Sequence, residues 1–263
     1  MAAAARGRNS QTSMPDALTV ALATPGLWFL SIGAFLAGIV RGFTGFGTAM
    51  VYLPFAAQVL GPFEALTTLV VKDFVVPLIH VPRAIRDGHP IDVVRLAVGA
   101  LFAVPLGVWV LSLVDPNIFR WSISLVALAM LLVLILGVRY HGTLTKPLIF
   151  VTGAMGGFLA GCVGLPGPPI ILLYMASSLP AKAIRANTML FLILADVIML
   201  AVLWWSEFLV VSALAIGVLM FVPYFLGNWA GALLFRPGAE RVYRTVAYAI
   251  IAGSAILGMP VWD

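Results

Sequence analysis

Charged side chains are missing from seven long stretches of the chain, residues 17–40, 42–63, 96–114, 121–138, 147–181, 208–235 and 245–262. Within them apolar residues occupy every face instead of alternating with polar ones. A helix that is apolar all round is a membrane span or a deeply buried core helix, and a span needs about 20 such residues. Two more apolar segments, 64–80 and 183–205, are each interrupted by acid. Glycine and proline divide the longer runs, because backbone groups freed in hydrocarbon must be satisfied by neighbouring protein or water. The pattern predicts ten helical elements, over 27–41, 46–60, 63–81, 92–114, 117–138, 148–164, 168–179, 182–205, 208–235 and 239–261. Residues 1–16, with Arg6, Arg8 and several polar side chains, read as a disordered tail, and 17–263 as a single membrane transport domain. The charge-free stretch after the tail is too long for the apolar core of a secretory signal.

Composition sharpens this picture. The chain is 62% hydrophobic and 10% charged, against about 45–50% and about 25% in soluble domains. A soluble fold is excluded, and the expected class is an all-α polytopic membrane protein in contact with lipid. The single cysteine, Cys162, allows no disulfide framework. It reads as a small core residue or as a thiol beside a site. The net charge of +5 is spread through short connections, where basic residues report membrane orientation and not nucleic-acid binding.

Four basic clusters stand out: Arg83, Arg86 and Arg95; Arg139 and Lys146; Lys182 and Arg185; and Arg236, Arg241 and Arg244. If every element crosses, all four fall on one side, the cytoplasm by the positive-inside rule. The connections around Glu64, Asp115 and Glu207 fall on the other, with both termini outside. The basic tail at Arg6 and Arg8 opposes that assignment.

The chain also resembles itself at an offset of about 122 residues. Phe35-Leu36-Ala37-Gly38 matches Phe158-Leu159-Ala160-Gly161, and one residue of slippage sets Gly42-Phe43-Thr44-Gly45 against Gly164-Leu165-Pro166-Gly167. Val51-Tyr52 matches Leu173-Tyr174, Asp73 falls near Asp196, and Leu106-Gly107-Val108-Trp109 resembles Leu226-Gly227-Asn228-Trp229. The repeats run over 27–138 and 148–262, with about five elements each. An odd number of crossings makes the second copy enter from the opposite face, so the copies are expected to be inverted. The first two elements of each copy are short, which suits broken or re-entrant helices near the bilayer midplane, where transporters place their sites.

Candidate chemistry gathers at the two breaks. The first, Gly38 to Thr48, contains Arg41, Gly42, Thr44 and Gly45. Glycine permits sharp turns and close backbone approach, and a helix starting just beyond aims N–H groups at an anion. Close helix packing through small residues accounts for some of the same glycines. The second break, Gly161 to Pro169, contains Gly164 and Gly167, and its prolines exclude an uninterrupted helix. Arg41 is costly in lipid, so an anion, a carboxylate or a polar interface must compensate it. Asn187 and Thr188, at the start of the eighth element, offer amide and hydroxyl groups to an oxyanion, or serve as helix-start signals. Lys72, Asp73 and Asp196 are intramembrane charges: Asp73 suits a pair with Lys72 or Arg41 as well as a proton role, and Asp196, without an adjacent base, favours function.

Other chemistries find no support. His80, His89 and His141 have no metal-ligand spacing. There is no phosphate-binding loop of the Walker type. No serine has the Gly-x-Ser-x-Gly setting of a hydrolase. The chain therefore reads as neither an enzyme nor an ATP-driven pump, and no cofactor is expected.

The Gly38–Gly47 run followed by Pro54, the Gly161–Pro169 run followed by Tyr174, and the half-repeat spacing together resemble the sulfite exporter TauE/SafE family of membrane permeases, across residues 27–262. That resemblance implies a multi-pass carrier in a bacterial cytoplasmic membrane whose partner is a small anion: sulfite, a sulfonate or a related organic anion. Secondary export, driven by membrane potential, a proton gradient or both, is the expected activity. An anion channel is the alternative.

Overall fold

A computed structural model describes residues 14–78, 80–136, 144–175, 179–234 and 240–261. All regular structure among them is helical: α1 (Met14–Leu22), α2 (Leu27–Thr44), α3 (Thr48–Val59), α4 (Pro62–Leu78), α5 (Val81–Asp87), α6 (Pro90–Ser112), α7 (Pro116–Leu136), α8 (Lys146–Val163), α9 (Gly167–Met175), α10 (Ala181–Trp205), α11 (Val211–Leu234) and α12 (Glu240–Gly258). The ten elements expected from the apolar pattern correspond to α2–α4 and α6–α12. Helix α5 is additional: its charged heptad Val81–Asp87 carries no apolar run, and it is bent 71° from α4. Helix α1 starts at Met14, inside the segment expected to be a tail; residues 1–13, and with them Arg6 and Arg8, lie outside the described residues, as do Arg139, His141 and Arg236.

Helix starts follow local chemistry. Pro62, Pro90 and Pro116 open α4, α6 and α7, where the missing N–H is not needed. Glu64 accepts a hydrogen bond from the Gly61 N–H at 2.9 Å, and Asp115 accepts one from the Asn117 N–H at 3.0 Å. Both satisfy donors that the first turn leaves without a helical partner.

Among the described residues, six helices are long and apolar enough to cross a membrane: α2, α6, α7, α8, most of α10, and α11; α4 and α5 together supply a seventh if they form one broken span. Helices α3 and α9, with 12 and 9 residues, extend only about 18 and 14 Å at 1.5 Å per residue. They cannot cross a hydrocarbon layer of about 30 Å.

The chain forms two compact units. A terminal unit runs to Lys72 and resumes at Ser206; a central unit spans Asp73–Trp205, so the boundary falls inside α4. In the terminal unit α2 packs chiefly on α11, and α12 on α3. In the central unit α6 packs chiefly on α8, with α10 against α6 and α5. Each unit thus joins helices from both halves of the sequence.

Glycines set the closest approaches, as expected where small residues let helix backbones meet. A Cβ on Gly38 would lie 2.2 Å from the Tyr224 carbonyl oxygen, 2.7 Å from the Asn228 nitrogen and 3.0 Å from Gly227. A Cβ on Gly161 would meet the Val104 oxygen at 2.5 Å, the Val108 nitrogen at 2.7 Å and Gly107 at 2.8 Å. The two sets correspond position for position: Gly38 with Gly161, and Tyr224, Gly227 and Asn228 with Val104, Gly107 and Val108. Landmarks matched along the sequence therefore make corresponding contacts, once within each unit. Cys162 belongs to this contact, its thiol donating to the Gly107 carbonyl at 3.5 Å.

Candidate functional site

The first break is a helix stop built on glycine. Helix α2 ends at Thr44, and Gly45 takes a left-handed conformation (φ 78°) with its N–H donating to the Arg41 carbonyl at 2.7 Å. Helix α8 ends in the same way: Gly164 has φ 70° and donates to the Ala160 carbonyl at 2.9 Å. Residues with a Cβ disfavour this conformation. The caps correct the register of the repeat. Gly45, not Gly42, is the counterpart of Gly164. Seven residues separate Gly38 from Gly45 but three separate Gly161 from Gly164, so α2 is longer by about one helical turn. That extra turn is Arg41-Gly42-Phe43-Thr44.

Within it, Gly42 faces α11: a Cβ there would lie 2.6 Å from the Asn228 oxygen and 2.7 Å from the Ala232 nitrogen. Helix packing accounts for this glycine. Thr44 folds its hydroxyl onto the local backbone, 2.8 Å from the Val40 carbonyl, and accepts from the Phe46 N–H at 3.3 Å. Gly45 is exposed, and a Cβ added to it would have no atom within 4 Å. Arg41 is half-buried in the last turn of α2.

The helices that follow the two breaks differ in donor content. The first N–H groups of a helix have no intrahelical acceptor. Helix α3 begins Thr48-Ala49-Met50, all with N–H groups, whereas α9 begins Gly167-Pro168-Pro169. Two prolines remove donors where an anion would need them. The positive end of α3 is therefore the better anion-facing terminus.

Lys72 is the charged side chain of the terminal unit that is wholly withdrawn from solvent among the described residues, at 0% exposure. Its ammonium lies 4.5 Å from the ring centroid of Tyr52 on α3 and 4.5 Å from that of Tyr224 on α11. Both tyrosines are fully buried. Gly217 makes this possible. A Cβ there would lie 2.7 Å from the Val71 side chain and 3.3 Å from the Thr68 backbone, so α11 comes close to α4. Tyr224, two turns along α11, then stands on the same face. A lysine at the centre of a lipid-facing helix costs about 2.5–3.5 kcal/mol, and a desolvated cation–π contact contributes about 2 kcal/mol. Both rings lie within cation–π distance of the ammonium. Tyr52 lies four residues beyond Thr48 on the buried face of α3, one turn from the donor-bearing end.

In the central unit Asn187 is fully buried and committed to structure. Its Oδ1 accepts from the His89 N–H at 2.7 Å, and its Nδ2 donates to the Tyr174 hydroxyl at 3.2 Å. It ties the start of α6 to α9. Thr188 is half-buried next to it. Asp196 is half-buried on α10, nine residues further on, about 13 Å along the helix. Asp73 is buried on α4 at the start of the central unit. Two of the basic clusters meet here: Asp87 takes Lys182 at 2.8 Å and Arg83 at 3.7 Å.

The tyrosines around Lys72 were not singled out by sequence reasoning. The signal available was the seven-residue spacing from Gly217 to Tyr224, together with a lysine in an apolar segment.

Apolar spans, glycine-capped breaks and a buried cation define a helical membrane transport protein. The chain matches the family of sulfite exporters TauE/SafE over residues 30–257 and belongs to that family. No curated protein and no solved structure matches it.

Proposed function

We propose that this protein is a secondary carrier that exports a small sulfur-containing oxyanion, sulfite or a sulfonate, across a bacterial cytoplasmic membrane. Family membership supports the class of cargo. The observation that carries the anion site is the α2–α3 break, where Arg41 and the positive, N-terminal end of α3 lie on one unit. Gly164, Gly167 and Thr188 line the corresponding break region of the central unit in this reading, and Asn187 holds it in shape. In this reading the basic clusters at Arg83–Arg95 and Lys182–Arg185 lie on the cytoplasmic side, and the two copies are inverted because, with the first two elements of each copy forming a re-entrant hairpin, three crossings, an odd number, remain in each.

Export needs no other energy source than the membrane potential, which contributes about 2.3 kcal/mol per charge per 100 mV to an anion leaving a negative interior. Asp73 and Asp196 are the groups through which a proton would couple, since an ionised carboxylate disfavours a nearby anion until it is protonated.

Reconstituted vesicles loaded with unlabelled sulfite test the proposal. Labelled sulfite should accumulate transiently by counterflow, saturably and without net current. Flux that never saturates and always carries current indicates a channel. Absence of sulfite and sulfonate flux, with robust exchange of a carboxylate, refutes the proposed cargo.

A further inference from the structure

We propose that the seam between α5 and the start of α10 is a binding site for the headgroup of an anionic phospholipid. Arg83, Arg86 and Arg185 serve only membrane orientation in the carrier reading above, and the lipid site is independent of which anion is carried. Asp87 draws the two helices together, taking Lys182 at 2.8 Å and Arg83 at 3.7 Å. Next to that bridge Ala84 of α5, Val93 of α6, and Ala186 and Leu190 of α10 form a buried apolar cluster, with Val81 and Met189 packed against it. Arg83 and Arg86 stand on α5, and Lys182 and Arg185 on α10, each pair three residues apart and therefore neighbours on the helix surface. All four are exposed. Arg95, at the start of α6, pairs with Asp92 at 2.6 Å. With Arg95 counted, five basic side chains face two carboxylates, Asp87 and Asp92, which leaves a net charge of +3 on this part of the central unit.

Charge and apolar surface together select a lipid. Arginine presents a planar fork of donors that matches phosphate oxygens, and the positive end of α10 adds to the potential at the same place. Apolar side chains are interleaved with these charges: Ile85 is 51% exposed, Ile91 68% and Val94 57%. At about 100° per residue, Ile85 falls to one side of the buried Ala84, Arg83 to the other, and Arg86 on the outer face. Helix α5 thus has an inner face toward the cluster, an apolar flank and a basic flank. A helix lying in the membrane interface needs that division, with apolar side chains toward the acyl chains and basic ones at the headgroups. The 71° bend between α4 and α5 inclines α5 toward the membrane plane where α4 crosses. A phospholipid offers its phosphate to the arginines and its chains to Ile85, Ile91 and Val94. A free phosphate would meet the charges alone.

The test titrates dioleoyl-phosphatidylglycerol or dioleoyl-phosphatidylcholine into the full-length purified protein in detergent and follows the unfolding midpoint, since a ligand that binds only the folded form raises it. The wild type should bind phosphatidylglycerol at least tenfold more tightly than phosphatidylcholine. Each basic side chain near an anionic surface contributes roughly fivefold, so Arg86→Gln/Arg185→Gln should weaken phosphatidylglycerol at least tenfold and leave phosphatidylcholine unchanged. Arg241→Gln/Arg244→Gln removes the same charge from α12, in the terminal unit, and should leave phosphatidylglycerol binding close to that of the wild type. Equal binding of the two lipids by the wild type, or equal losses in the two double variants, overturns the proposal. Displacement of the lipid by an equal concentration of soluble glycerol phosphate also overturns it, because the site would then be one for free phosphate. If Arg86→Gln/Arg185→Gln does not fold, Arg86→Gln alone decides: a roughly fivefold loss supports the site, and wild-type affinity overturns it. Sulfite counterflow in phosphatidylcholine vesicles reads the carrier function separately, so failure of the lipid site leaves the carrier reading intact.

Discussion

Replacing Gly38 with alanine tests the packing of α2 on α11 that holds the first break in place. The added Cβ would sit 2.2 Å from the Tyr224 carbonyl oxygen and 2.7 Å from the Asn228 nitrogen. Both are backbone atoms of α11, so no side chain can rotate away. Restoring ordinary contact at 3.4 Å requires α11 and α2 to separate by 3.4 − 2.2 = 1.2 Å. That separation also loosens the contacts of Gly42, Gly227 and Gly231 along the same seam. Overpacking costs about 1–3 kcal/mol, and the absence of a yielding partner puts this site at the upper end. Alanine recovers about 1 kcal/mol of helix propensity, leaving a net loss of about 2 kcal/mol. On the scale of chains this long, the midpoint should fall by roughly 4–8 °C. Gly253→Ala is the matched control: it lies inside α12 with nothing within 4 Å of the new atom, and it should gain about 0.5–1 kcal/mol. Thermal unfolding of detergent-solubilised protein, followed by tryptophan fluorescence, reads both. A Gly38→Ala midpoint equal to the wild type, or one that rises with Gly253→Ala, refutes the packing argument.

Gly161→Ala, whose Cβ would lie 2.5 Å from the Val104 carbonyl, should destabilise to a similar extent, since it occupies the corresponding seam of the central unit; a neutral effect would break the correspondence between units. Gly45→Ala meets no atom but must hold φ 78°, so a loss of about 1 kcal/mol is expected from backbone conformation alone, and Gly45→Asn should lose less because asparagine tolerates that region. Asn187→Ala removes bonds to the His89 N–H and the Tyr174 hydroxyl and should cost about 0.5–1.5 kcal/mol for each bond lost, measured by the unfolding midpoint. For orientation, Arg86→Cys and Asp115→Cys in a Cys162→Ser background should be labelled by an impermeant maleimide from inside and outside intact cells respectively; the reverse pattern would invert the topology.

Much of the architecture lies open in the linear order of residues. The apolar runs locate ten of the helices, because a span must be apolar on every face and that requirement is written one residue after another. Proline and glycine mark the two breaks for the same reason: their effects on the backbone are local. The matched landmarks Phe35–Gly38 and Phe158–Gly161 point to duplication from the sequence alone. What each glycine is for is another matter. Gly42 and Gly45 are equivalent in type and three residues apart, yet one accommodates the backbone of α11 and the other supports a left-handed turn. Lacking a side chain serves both ends, and only the neighbours distinguish them. Asn187 in the same way has groups fit for an anion, but His89 and Tyr174 reach them. Lys72 shows the limit most plainly: a lysine in an apolar segment announces that something must compensate its charge. Tyr52 and Tyr224, whose rings lie against it, are separated from it by 20 and 152 residues of chain. Helices that are apolar all round carry no stripe to say which face meets which neighbour, so those partners are fixed by packing in three dimensions.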